Sequence, residues 1–362
     1  MGERIRSPKN LLKVYLMKKN TLATLIELAI NEDLDNIKKN AAESVFIFDR
    51  LVLKGQSSTL FAPPNAGKTL LIINQLKQAH AAGLTNDLSV FYINADDTQN
   101  GVIEKTEILE SIGVHVLVPG YNGFESHSLL AILDGLSDDN AAKDVVIIVD
   151  TLKKFADTMD KKHMRRFGIT VRDFVMRGGT FIGLGHTNKN RDGDNKLVYS
   201  GTSDLVEDVD CIYMMDIKYD NTDENGTQTK HIQLINQKLR GNNALELTFA
   251  YQKAENLKYV DMINSVRNID ENTHKKAKSL QDEVFKYNDY LDKYPDAVSL
   301  IKSVLDGNKM DKTELRDFLL KNTTYGRDKC AEIIDRVSGK LINFEVSGKT
   351  GRKKIYYLIN NA

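Results

Sequence analysis

The stretch STLFAPPNAGKTLLIINQL, Ser58 to Leu76, decides the fold. A short β-rich run enters a Pro/Asn/Gly turn and leaves as a helix, the order of a phosphate-binding loop. Within APPNAGKT, Gly67 lets the backbone approach a phosphate, and Lys68 reaches the β- and γ-phosphates. Thr69 offers a hydroxyl to magnesium (Mg2+), and the first amides of the following helix offer further donors. The candidate ATP-binding segment is therefore Pro64, Asn65, Ala66, Gly67, Lys68, Thr69 and Leu70. Ala62 stands where the usual pattern has its first glycine. Alanine makes that turn when its φ is negative, and Pro63 and Pro64 stiffen it. The rival reading is an accidental Gly-Lys-Thr in a turn, which the strand before it and the helix after it oppose.

Working outward, residues 41–252 alternate short β-rich runs with amphipathic stretches. SVFYINA, VHVLVP, VVIIVD, TFIGLGH and DCIYMM are the runs, and VVIIVD and FIGLG carry almost no polar residues. Strands of that kind are buried on both faces of a parallel sheet. KHIQLINQKLRG and ALELTFAYQ then predict an antiparallel hairpin at the sheet edge. The expected class is α/β with a mainly parallel sheet. Asp150 ends VVIIVD, where ATPases with such a loop place the carboxylate that holds the magnesium water shell. Asp96 and Asp97 lie just beyond SVFYIN, where a carboxylate can orient an attacking water. The plainer alternative is a pair of acids opening a loop. Asp96 is preferred over Asp97.

The order of these elements resembles the RecA-type ATPases, in which a carboxylate, usually Glu, ends the strand after the loop's helix; an Asp here departs from that habit. IIVDTLKKF, GLGHTNKN and SGTSDLVEDVD further resemble segments of the RepA family of plasmid and phage hexameric helicases, within the RecA/DnaB superfamily. The resemblance spans about residues 51–249. It implies a RecA-like P-loop ATPase core that forms a homo-oligomeric, hexameric ring on DNA, with nucleotide held between subunits. DNA and other replication proteins are the partners it suggests. His186 ends an apolar strand and is equally readable as a histidine satisfied by a loop carbonyl; the resemblance assigns it to γ-phosphate sensing, with Ser200, Gly201 and Ser203 shaping a supporting turn. In NQKLRGNN, Lys238 and Arg240 match a lysine and arginine with which DnaB-type helicases reach the nucleotide of a neighbouring subunit. Two exposed hairpin residues are the alternative.

The same resemblance turns two basic segments toward a central channel. They are DTMDKKHMRRF, with Lys161, Lys162, Arg165 and Arg166, and HTNKNRDGDNK, with Lys189, Arg191 and Lys196. Basic residues on such loops suit contact with a phosphate backbone, although charge runs are also ordinary solvated faces. Asp192 and Asp194 dilute the second.

Residues 1–40 read as a helical segment, with Leu22, Leu25, Ile26, Ala29 and Ile30 at helical spacing and packing on the core as the expectation. Residues 253–290 read as a polar linker or exposed helix. Residues 291–362 give three short helices followed by two β runs around SGKTGRKK, the order of a winged helix-turn-helix domain. Its basic tip, with Lys349, Arg352, Lys353 and Lys354, suits duplex backbone contact. Winged helices mediate protein contacts as well.

The 362 residues carry no net formal charge, so attraction to nucleic acid must come from local patches. Cys211 and Cys330 are far apart and read as reduced thiols. No signal-type segment or membrane span is visible, which predicts a cytoplasmic chain without a membrane partner. An ATP- and magnesium-dependent DNA motor, most simply a replicative helicase of a mobile element, is the expected activity. A non-unwinding ATPase such as a helicase loader or recombination mediator fits the same motifs, as does a nucleotide-switched DNA-binding regulator.

Overall fold

The computed structural model describes residues 21–27, 29–34, 45–155, 161–188, 190–194, 196–199, 208–347 and 353–359. The chain divides into two units after Glu271.

In the first unit, a helix α1 (Thr21–Glu27) precedes a two-stranded ribbon, β1 (Phe46–Phe48) and β2 (Val52–Leu53). Leu22 and Leu25 are 64% and 60% exposed, and Ile26 and Ile30 are similarly open. The expected packing of this segment on the core is therefore not met. Seven residues form too short a helix to hold an apolar face against a core without a facing element.

The unit is then built on β3 (Ser57–Ala62), α2 (Lys68–Ala81), β4 (Ser89–Asn94), α3 (Gln99–Glu110), β5 (His115–Leu117), α4 (Ser128–Asp138), β6 (Val145–Asp150), α5 (Lys161–Met176) and β7 (Thr180–His186). It continues with β8 (Cys211–Thr222), β9 (Gln228–Leu239), β10 (Glu246–Lys253), α6 (Tyr259–Ser265) and β11 (Arg267–Asn268). These strands form one nine-stranded sheet in the order β11-β10-β9-β8-β3-β7-β6-β4-β5. Every pairing from β8 through β5 is parallel, and β8 through β11 are antiparallel. The expected α/β class with a mainly parallel sheet is what the chain adopts, including the hairpin of β9 and β10.

Period-two alternation makes two cores from one sheet. Val146 and Ile148 of β6 join Leu60, Tyr92 and Ile182 on one face, packed by α2. Ile147 and Val149 join Phe61, Ile93 and Phe181 on the other, packed by α4 and α5. Helix α2 buries Leu70, Leu71, Ile72, Ile73 and Leu76, each contributing about 1.5–3 kcal/mol. Gly185 of β7 is fixed by crowding, since a Cβ there would lie 2.5 Å from the Phe61 ring.

Two segments differ from expectation. Residues 161–167, expected in a basic loop, belong to the helix Lys161–Met176, because Met164, Phe167, Val171, Phe174 and Val175 recur at helical spacing and are all buried. The expected linker 253–290 is instead two kinds of structure. Its first part completes the sheet: Ile263 and Val266 are buried, Asn74 Nδ2 donates to Ile263 O at 2.8 Å, and β11 pairs with β10. Its remainder lies in α7 (Glu271–Lys293), a 23-residue helix with no buried residue, which is the exposed helix expected as the alternative to a linker.

The second unit follows with α8 (Pro295–Leu305), β12 (Met310–Asp311), α9 (Lys312–Asn322), α10 (Arg327–Val337), β13 (Ile342–Ser347) and β14 (Lys353–Leu358). Three helices and the β13–β14 pair match the expected order; β12 adds a third strand against β14. Leu315, Leu319, Ile333, Ile334, Val337 and Tyr356 form its core. Asp311 and Glu314 cap α9 reciprocally, which starts that helix sharply. No helix among the described residues is long and apolar enough to cross a membrane.

Candidate functional site

Because β3, β7, β6 and β4 are parallel and in register, their C-terminal ends lie along one edge of the sheet. Ala62 stands beside His186, and Asn94 beside Asp150. Side chains just past those ends converge. A cavity of about 320 Å³ opens there, lined by Lys68, Thr69, Asp96, Asp150 and His186 together with Asn65, Gly67 and Leu70. Of the sequence-predicted segment, Pro64 and Ala66 stay out of the lining; Pro64 is exposed and Ala66 is buried in the core.

The loop owes its shape to two left-handed residues, Asn65 at φ 59° and Gly67 at φ 90°. Asparagine tolerates that region and glycine favours it. Gly67 is doubly constrained, since a Cβ on it would meet the Tyr251 ring at 3.0 Å. Gly67 is also the N-cap of α2 and brings no side chain to its first-turn amides. Those amides face outward as donors for an anion.

Around them the polar groups are tightly organised. Thr69 Oγ1 donates to Asp150 Oδ2 at 2.5 Å, and the Tyr92 hydroxyl donates to the same oxygen at 2.6 Å. Lys68 Nζ lies 3.5 Å from His186 Nδ1. Asp96 Oδ2 lies 3.7 Å from His186 Nε2 and 3.8 Å from Lys153 Nζ. Asp97 lines the same cavity but is held in a 2.5 Å ion pair with Lys105, which favours Asp96 as the carboxylate left to orient a water. The Asp150–Thr151 peptide is cis.

Burial sets the electrostatics. It pushes the Lys68 ammonium below its usual pKa, against the pull of Asp150 and Asp96. A buried cation in that state is poised to gain from an arriving anion. Burial, with Lys68 and Lys153 nearby, also lowers His186, so its imidazole is neutral at pH 7. The Tyr92 phenol is pushed well up by burial and by Asp150, and remains a donor.

The donor set fits a magnesium–triphosphate group. A threonine hydroxyl and a carboxylate, hydrogen-bonded to each other, are all-oxygen ligands of the kind Mg2+ takes alongside waters and phosphates. Lys68 and the α2 amides suit the phosphates. Magnesium there would neutralise phosphate charge.

Lys238 and Arg240 are not brought to this cavity. Lys238 is level with Ile212 in the β8–β9 register, and Asp210, one residue before β8, bonds both Ser57 and Arg240. Arg240 is thus at the N-terminal end of β3, five residues from Ala62, or roughly 16 Å along the strand, and Lys238 is level with Thr59, three residues or roughly 10 Å from it. Arg240 sits 3.4 Å from Asp210 Oδ1, the same oxygen that Arg172 contacts at 2.5 Å.

Of the sequence-predicted DNA contacts, Lys162, Arg165 and Arg166 are exposed on the first turns of α5, and Arg166 lies 3.6 Å from Asp134. Lys161 starts that helix. Arg191 is in a two-point pair with Asp216, at 2.8 and 3.0 Å, which Lys218 joins. Lys353 pairs with Asp311 at 2.8 Å, and Lys354 lies over the Phe344 ring at 4.1 Å. Lys189, Lys349 and Arg352 lie outside the described residues, as do Ser200, Gly201 and Ser203.

Sequence reasoning missed Tyr92, Asn94, Lys105, Lys153, Tyr251 and Tyr259, all of which line or brace the cavity. Asn94 left a signal, a polar residue closing an otherwise apolar strand. Tyr251 and Tyr259 left none, since nothing in their local pattern distinguishes them from packing aromatics. Comparison of the chain with protein-family models and with curated proteins gives no match.

Proposed function

We propose that this chain is a magnesium-dependent ATPase that works on DNA as a homo-oligomeric motor, most simply as a ring-forming replicative helicase. One observation carries the ATPase reading. Lys68, Thr69, Asp96, Asp150 and His186, drawn from the ends of four parallel strands and their loops, line a single cavity at the start of an uncapped helix. That constellation supplies each part that phosphoryl transfer to water requires. The α2 amides and Lys68 hold the phosphates, and Thr69 and Asp150 hold the metal. Asp96 orients the attacking water, with Lys153 and His186 beside it fixing its direction.

On this reading the chemistry needs a second copy. Arg240 pairs with Asp210 at the N-terminal end of β3 and Lys238 stands level with Thr59, so neither lines its own cavity, and their positive charge serves a neighbour's nucleotide. The reading as P-loop, RecA-like core and winged helix rests on the same site, on the parallel strand order, and on the three-helix, three-strand order of the second unit. DNA contact is supported by the exposed Lys162, Arg165 and Arg166, with Lys353 and Lys354 on β14 as a second patch. Arg191 acts as a brace for its loop, since Asp216 already engages both arms of its guanidinium.

The test is phosphate release and thermal unfolding of the full chain with and without Mg-ATP. Wild type is expected to turn over and to gain stability with ATP by mass action. Lys68→Met should lose both effects while its unliganded form stays at least as stable, because a buried ammonium has been removed. An unchanged ATP response in that variant rejects the site.

A further inference from the structure

We propose that the side-chain amide of Asn94 binds the terminal phosphoryl group of the nucleotide, and so distinguishes a triphosphate from a diphosphate. The inference rests on the reading of the cavity as a nucleoside triphosphate site. Asn94 is the last residue of β4 and is only 2% exposed, yet it lines the cavity. Its Nδ2 makes no hydrogen bond among the described residues.

Buried amides are almost always bonded, and although Gln56 Oε1 and Asn243 Oδ1 also lack a partner, Asn94 Nδ2 is the one buried amide nitrogen among the described residues left without one. Asn74 Nδ2 donates to Ile263 O, and Asn243 Nδ2 donates to Leu51 O at 3.0 Å. Unlike Gln56 and Asn243, Asn94 lines the cavity where a ligand is expected. A second buried nitrogen without a hydrogen bond, His186 Nε2, lines the same cavity. The two atoms stand at the ends of β4 and β7, on either side of β6 and its Asp150, and so flank one target.

The chemistry of that target follows from the donors. An amide N–H repels a cation, so Asn94 Nδ2 cannot ligand the metal, which falls to the oxygen atoms of Thr69 and Asp150. It donates, so its partner is an acceptor. Asn94 lies in register beside Asp150, and Asp96 follows two residues later. An acceptor bearing negative charge between two carboxylates needs a donor there to offset repulsion. Lys68 and the α2 amides approach the triphosphate from the loop that follows β3, and Asn94 meets the outermost phosphoryl oxygens from the β4 side, beside the carboxylate that orients water.

The experiment measures affinity of the full chain for a non-hydrolysable ATP analogue and for ADP, both with Mg2+, in wild type, Asn94→Asp and Asn94→Ser. Urea unfolding of each variant confirms that it is folded; Asn94→Asp changes a single heavy atom, and Asn94→Ser keeps a small polar group. The analogue should bind about tenfold or more weakly in both variants, the size of one lost hydrogen bond to a charged group. ADP affinity should hold within about twofold, so the ratio between the two nucleotides collapses. An unchanged ratio, or a parallel loss of both nucleotides, overturns the assignment of Asn94 and leaves the site standing. Failure of wild type to bind either nucleotide removes the site itself.

Discussion

Thr69 Oγ1 and Asp150 Oδ2 are 2.5 Å apart, so the first turn of α2 is tied to the end of β6 across 81 residues of sequence. The bond joins the loop's helix directly to the end of β6. It also places the two expected magnesium ligands together before any metal arrives, and Tyr92 holds the same carboxylate oxygen from beneath.

Tyr92→Phe should therefore loosen the site without emptying the core. The ring is fully buried and phenylalanine keeps its volume, while a hydrogen bond to a carboxylate is lost. The expected cost is about 1–3 kcal/mol in urea unfolding. Turnover should fall as well, because Asp150 is no longer held on one side. A variant as stable and as active as wild type would show that the phenol has no bracing role.

His186 gives the chain a pH dependence of known sign. Its pKa is depressed in the folded state by burial first, and then by Lys68 and Lys153. As pH falls through the unfolded value of 6.5, the unfolded chain takes up a proton before the folded chain does. Folded stability should thus decline below pH 6.5, until the folded imidazole also protonates. His186→Gln should flatten this part of a stability-against-pH curve measured by urea unfolding. An identical slope in the variant would assign the titration to another group.

DNA binding, where it occurs, should be read in its salt dependence. Arg165→Ala with Arg166→Ala should weaken binding to single-stranded DNA and reduce the slope of log affinity against log salt by roughly 1 to 1.5, the value for two phosphate contacts. Arg191→Ala should leave that slope alone and lower stability, because its partner is Asp216. A slope that responds to Arg191 but not to the α5 arginines would invert the assignment.

Much of this architecture was legible because buried parallel strands write themselves plainly. The runs that became β3, β6 and β7 are almost wholly buried, and their apolar continuity needs no partner to be recognised. The loop and Asp150 could be paired from chemistry alone. The losses have physical reasons too. Residues 161–166 looked like a basic loop because four cations hide the stripe that begins at Met164. Tyr259 sat in an apparent linker because Ile263, Val266 and Ile269, the residues that anchor it, are too sparse to signal a core element. Asn94 and Tyr92 depend on what faces them across the sheet, and a single strand's sequence does not carry that.

The central claim is that nucleotide bound around Gly67 is cleaved with help from a second copy, and mixing two inactive chains tests it most directly. Lys68→Ala should abolish nucleotide binding. Arg240→Ala should keep binding yet lose turnover by about 10³-fold or more, as for other arginines that act in trans. Phosphate release is then measured for each variant alone and for an equimolar mixture. The account predicts two silent variants and a mixture that regains turnover, because an intact Arg240 from one chain reaches the intact cavity of the other. Full-rate hydrolysis by Arg240→Ala alone, or a mixture as silent as its parts, would contradict it.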